Sequence, residues 1–224
     1  MSTNAVISNK TSSQILENLM EAHPKLNPLK DIIMSSFLTL KKAYENGGKV
    51  LVCGNGGSAS DSEHIVGELM KGFVLKREID EDKRTILNDM FEDGEYLANH
   101  LQGALPAISL VSHPALAYAF INDVAPDMVF AQQVFGYGKS GDVLIGLSTS
   151  GNSKNVVNAV KVAKAFGLLT IGFTGEEGGI MKDLCDININ VPAKETYMVQ
   201  ELHLPVYHAL CAMIEAEFFG GEKR

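Results

Sequence analysis

The sequence predicts a three-layer α/β protein, a doubly wound sheet of about five parallel strands with helices on both faces. Two observations predict it. After residue 48, five short apolar runs alternate with segments of helical periodicity, and that alternation builds a parallel sheet covered on both sides. The chain has 224 residues, long enough for one sizeable α/β domain with a full core. The expected strands are 50–53, 107–111, 143–147, 169–173 and 187–191. The expected helices between and after them are roughly 60–72, 115–121, 127–136, 153–165 and 196–218.

Residues 1–48 read as an N-terminal helical arm. The first dozen are polar and expected to be loose. Ile15, Leu16, Leu19 and Met20 mark a short amphipathic helix that ends near His23 and Pro24. A longer helix follows, with Asn27 as its cap, Pro28 at its first position and Gly47 at its end. Its stripe of Leu29, Ile33, Phe37, Leu40 and Tyr44 packs into the core or against another subunit. The domain proper spans 49–224 and is interrupted at 74–104. That insertion begins as a charge run and continues with Ile86, Leu87, Met90, Phe91, Leu97 and Leu101, a helix or two with an apolar side. A lid, an interface or an inert elaboration would each fit it.

Composition narrows the function. Acidic residues outnumber basic ones by 27 to 19, a net charge of −8, which disfavours a nucleic-acid surface, where clustered cations displace phosphate counterions. No apolar tract has the length of a membrane span, and the first residues carry no secretory pattern. Cys53, Cys185 and Cys211 are odd in number and widely spaced, so reduced thiols in a cytoplasmic protein are expected.

Two loops carry the chemical signal. Gly54-Asn55-Gly56-Gly57-Ser58-Ala59 follows the first strand, and Ser148-Thr149-Ser150-Gly151-Asn152-Ser153 follows the third. Each runs from a strand into a helix, whose unpaired N–H groups and dipole favour an anion. The first loop fits a dinucleotide fingerprint, but that site needs an acidic residue at the end of the next strand, about 20 residues on. Asp80, Glu81 and Asp82 fall instead in the charge run, so no nucleotide cofactor is expected. Hydroxyls at 148, 149, 150 and 153 suit a monoester phosphate better, although Ser and Asn are also ordinary helix caps.

His64 and Glu68 stand four apart and share a helix face. They suit a proton-transfer pair, two ligands of one divalent metal, or a plain surface contact. In the last helix, Gln200 and His208 lie about 12 Å apart if the helix is straight. They then cannot both touch one small site. Either Pro205 bends or starts the helix, or one residue serves a neighbouring subunit. His203, among apolar neighbours, reads as a hydrogen-bonded core residue.

The stretches "CGNGGSASDSEH", "GDVLIGLSTSGNS" and "VQELHLPVYH", in this order, resemble the sugar isomerase (SIS) domain family and, within it, the phosphoheptose isomerases. The resemblance covers about 28–75 and 106–218. It implies an aldose–ketose isomerase that interconverts sedoheptulose 7-phosphate and glycero-manno-heptose 7-phosphate through an enediol. It further implies Glu68 as general base and His208 as general acid. Phosphate would be held by Ser58, Ser148, Thr149, Ser150 and Ser153, with Asn55 and the neighbouring Gly56 and Gly57. Gln200 and Asp123 would face the sugar. His64, Glu68, Gln200 and His208 match the zinc ligands of some members, and members are homotetramers with sites built between subunits. Two departures stand out: Tyr197, where an acidic residue is common three before the Gln, and the long 74–104 segment. A non-catalytic SIS-domain regulator that binds sugar phosphates or assembles partners is the alternative, though Glu68 and His208 argue against it. A lyase or deaminating isomerase of the same fold would need more chain.

Overall fold

The computed structural model describes residues 10–221; most of the stretch expected to be loose lies outside them. Five parallel strands form one sheet: β1 (Val50–Gly54), β2 (Ala107–Ser109), β3 (Val143–Leu147), β4 (Leu169–Thr174) and β5 (Ile187–Asn190). Their spatial order is β2-β1-β3-β4-β5. The chain therefore reverses direction across the sheet at β1 and β3, which pair directly from Val50↔Val143 to Gly54↔Leu147. β2 ends at Ser109 rather than at 111, because Leu110 to Ser112 turn tightly toward the next helix.

Side chains alternate across each strand. Val50 and Val52 enter one core with Val143, Ile145, Leu147, Ile171 and Phe173. That core is closed by α1 (Ser12–Ala22), α2 (Lys30–Glu45), α3 (Gly57–Met70) and α10 (Thr196–Phe219). Leu51, Cys53 and Leu144 face the opposite core, formed by α7 (Val129–Tyr137), α8 (Lys154–Ala165) and the short α9 (Met181–Leu184). Helix α6 (Pro114–Asp123) packs on α7, with Ala117 against this second core and no residue fully buried.

The N-terminal region packs into the first core through Leu16, Leu19, Leu26, Ile33, Phe37 and Leu40. Thr11 and Gln14 close a capping box at the start of α1. The expected Asn27 cap does not form. Pro24 opens a 3₁₀ turn over Pro24–Leu29 that absorbs Pro28, and the α-helix begins only at Lys30, whose N–H bonds the Asn27 carbonyl. The 74–104 insertion folds as a helical hairpin, α4 (Glu81–Met90) and α5 (Gly94–His100). The two helices pack on each other, and no residue of α4 is buried. Ile86, Met90, Phe91, Tyr96 and Leu101 are exposed.

Among the described residues no helix is long and apolar enough to cross a membrane. Cys53 and Cys211 are buried free thiols, and burial pushes Cys211 up to about 12. His203 is fully buried, donates from Nε2 to the Thr174 carbonyl at 3.3 Å, and is pushed down to about 4 by burial. It is the neutral core histidine its surroundings suggested.

Leu144 lies at the centre of the sheet with no exposure. Leu144→Ala is expected to destabilise the protein by about 2–5 kcal/mol, read from urea unfolding at fixed protein concentration.

Candidate active site

The register of β1 with β3 decides where the site lies. Both strands end at the same level, so both polar loops emerge side by side at their carboxyl ends. This is the position at which open α/β sheets bind ligands. A cavity of about 260 Å³ opens there, lined by Asn55, Gly56, Gly57, Ser58, Leu147, Ser148, Thr149, Ser153, Thr196 and Gln200. Three helices start at its rim: α3 at Gly57, α8 just after Ser153, and α10 at Thr196. Their free N–H groups and dipoles add up at one place.

Local geometry keeps the loops open toward the cavity. Gly56 has φ 55° and ψ −123°, a conformation open essentially to glycine alone. Gly57 is held without a side chain for a different reason: a Cβ there would stand 2.4 Å from the Gln200 amide nitrogen. Ser148 and Ser58 are buried, and Ser148 Oγ donates to Ser153 Oγ at 2.9 Å. Asn55 exchanges two side-chain hydrogen bonds of 2.9 Å with Asn155, so the two loops are tied to each other.

Seven of the expected phosphate-loop residues and Gln200 thus share one cavity. Ser150 does not line it. It faces an adjoining depression with Asn152, Glu176, Glu177 and Lys194. Asp123 stands apart, exposed at the end of α6, its carboxylate accepting from Asn122. Asp80–Asp82 surround the start of α4 and lie at no strand end. Sequence reasoning missed Thr196 and Asn155. The first follows from the start of α10 and the second from the pairing of β1 with β3; only the helix start carried a signal in the sequence.

A second cluster sits at the far end of α3. His64 Nε2 is 3.1 Å from Glu68 Oε1 and 3.4 Å from His208 Nε2. Lys71 Nζ stands 3.3 Å from the other oxygen, Oε2. Behind His64, the Tyr207 hydroxyl donates to Asp61 Oδ1 at 3.1 Å and lies 3.1 Å from His64 Nδ1. A tyrosine has one proton to give. With it given to Asp61, the His64 Nδ1 contact is a hydrogen bond when Nδ1 carries a proton, and Nε2 faces Glu68 and His208. Burial holds Asp61 above the usual carboxylate range. Burial, then the neighbouring His64, holds His208 below the usual imidazole range.

The cluster thus groups two imidazoles and a carboxylate around His64 Nε2, with an outer pair behind the central imidazole. Two imidazoles and a carboxylate are a zinc donor set, and a second partner on the remote ring nitrogen is its usual support. As the side chains stand, no group of three His, Cys, Asp or Glu among the described residues encloses an ion-sized point. Gln200 is not in this cluster. Helix α10 runs unbroken through Pro205, so Gln200 and His208 remain about 12 Å apart. His208 lines a different groove, with Leu19, Phe73 and Ala212.

The fold and the loops define a sugar isomerase domain, and the SIS domain family model matches residues 86–175, a span that includes the second polar loop and leaves out the first. Phosphoheptose isomerase of Clostridium acetobutylicum is 37% identical over 211 residues, covering 94% of this chain and 93% of that protein. Among solved structures, the phosphoheptose isomerase of Neisseria gonorrhoeae superposes with a TM-score of 0.68 at 30% identity, covering 92% of this chain and 93% of that one. That of Francisella tularensis gives 0.71 at 30% identity, covering 88% and 93%. The chain belongs to the phosphoheptose isomerase family.

Adding a Cβ to Gly56 meets nothing within 4 Å, so Gly56→Ala isolates backbone strain. It is expected to cost about 1–3 kcal/mol in thermal or chemical denaturation, and to weaken inorganic phosphate binding measured by calorimetry.

Proposed function

We propose that this protein is an aldose–ketose isomerase that interconverts sedoheptulose 7-phosphate and glycero-manno-heptose 7-phosphate. The observation that carries the reading is the convergence of Glu68, His64 and His208 in a chain that also builds a phosphate-sized, donor-rich cavity. Family membership supports the same substrate, since the relatives named above are phosphoheptose isomerases.

The reaction moves a proton between two adjacent carbons. Glu68 takes it from the carbon beside the carbonyl, forming an enediol, and returns it to the other carbon. Its Oε1 faces the His64 imidazole, so the work falls to Oε2, which also accepts from the Lys71 ammonium. His208 shuttles protons between the two sugar oxygens. A positioned acid or base of this kind contributes about 10²- to 10⁴-fold. The phosphate is gripped remotely, so binding energy orients the reacting end. His64, Glu68 and His208 would hold a zinc ion, which when bound polarises the carbonyl and stabilises the negative charge on the enediol oxygens.

The working unit is a homotetramer with active sites shared between copies. Ser58 and Glu68 lie ten residues apart on one helix, about 15 Å along its axis and about 80° around it. Gln200 and His208 pose the same difficulty on α10. A neighbouring copy that brings its Glu68 cluster to this copy's phosphate cavity removes both. Exposed Tyr118, Ile121 and Val124 near the end of α6 provide apolar surface for such contacts.

Glu68→Gln is expected to retain inorganic phosphate affinity while losing about 10²- to 10⁴-fold in turnover. The assay is NMR of deuterium incorporation into sedoheptulose 7-phosphate in D₂O; full exchange by the variant would remove Glu68 as the base. Refolding Glu68→Gln and Ser148→Ala chains together is expected to restore activity that neither has alone. No recovery in hybrids proven to be mixed would place the whole site within one chain.

A further inference from the structure

A fully buried ion pair lies just behind the proton-transfer cluster. Arg77 and Glu215 both have side-chain exposures of 0%, with Arg77 Nε 2.7 Å from Glu215 Oε1. The rest of the guanidinium fork reaches back to α3: Nη1 donates to the Leu69 carbonyl at 2.7 Å and Nη2 to the Glu68 carbonyl at 2.8 Å. Glu215 also accepts the backbone N–H groups of Phe73, Val74 and Leu75. The Phe219 ring covers the guanidinium at 4.8 Å.

Buried pairs of this sort are poor sources of net stability, because desolvation offsets their attraction. What this one does is local. Glu68 sits in the last turn of α3, which ends at Met70. Terminal carbonyls there lack helical partners and such turns fray. Arg77 takes two of those carbonyls, one of them belonging to Glu68 itself. Its counter-ion Glu215 is seven residues after His208, on the same face of α10. One ion pair thus ties the turn carrying Glu68 to the helix carrying His208.

We propose that Arg77 and Glu215 are positioning residues for proton transfer, setting the aim of the Glu68 carboxylate and its separation from His208. The inference rests on Glu68 being the proton-transferring base. The test compares wild type, Arg77→Met, Arg77→Lys and Glu215→Gln at a temperature well below each unfolding midpoint. Readouts are kcat and KM for sedoheptulose 7-phosphate and calorimetric affinity for inorganic phosphate.

Arg77→Met is expected to lower kcat by about 10- to 100-fold, with KM and phosphate affinity within about twofold. Arg77→Lys, which keeps the charge and can reach one carbonyl, recovers part of that loss. Lower melting temperatures with kcat kept within about twofold would make the pair structural only and overturn the proposal. Should Arg77→Met not fold, Arg77→Lys and Glu215→Gln decide by the same criterion. Wild-type protein that fails to exchange the substrate would instead refute the proposed function.

Discussion

The direct parallel pairing of β1 with β3 is the constraint on which the rest of this protein depends. It aligns Gly54 with Leu147, so two loops separated by more than ninety residues leave the sheet at one level. Neither loop alone surrounds an anion. Together, with the start of α10 closing the third side, they place backbone donors and serine hydroxyls around a single cavity. The reciprocal Asn55–Asn155 hydrogen bonds then hold the loops in that relation.

Charge is distributed in a complementary way. The cavity lies where three helices start, which favours an anion, and carries neutral side chains, while the ionisable groups gather at the other end of α3. In the proposed function, that separation lets a dianion bind without pairing with the base. At the Glu68 end, the two carboxylate oxygens have different neighbours, the His64 imidazole on one side and an ammonium on the other. The Asp61–Tyr207 pair stands behind His64 and holds its ring by a contact at Nδ1. The Arg77–Glu215 pair stands behind both helices, where solvent would otherwise compete for the terminal carbonyls.

Much of the architecture was legible because the relevant signals are local. The five apolar runs became the five strands, and the stripe Ile33, Phe37, Leu40 and Tyr44 is buried in the core. The helical starts after both polar loops were marked by Gly and Ser. Local signals also misled: Asn27 and Pro28 have the chemistry of a cap and a first helical residue, yet Pro24, three residues earlier, had already set a 3₁₀ turn. The apolar side of 74–104 was visible, but its exposure was not, because periodicity describes a face and not what covers it.

Residue order by itself determined the class of fold, the two polar strand-to-helix loops, and the four-residue spacing that puts His64 beside Glu68. Those depend on backbone propensity and helix pitch, which act over a few residues. The strand order, the joining of the two loops into one cavity, the approach of His208 to His64 and the burial of Arg77 against Glu215 were decided only by tertiary structure. The meetings of Asn55 with Asn155, His208 with His64 and Arg77 with Glu215 each join residues more than ninety apart, and the strand order joins segments far beyond the reach of local propensity, so all of them depend on how the whole chain packs.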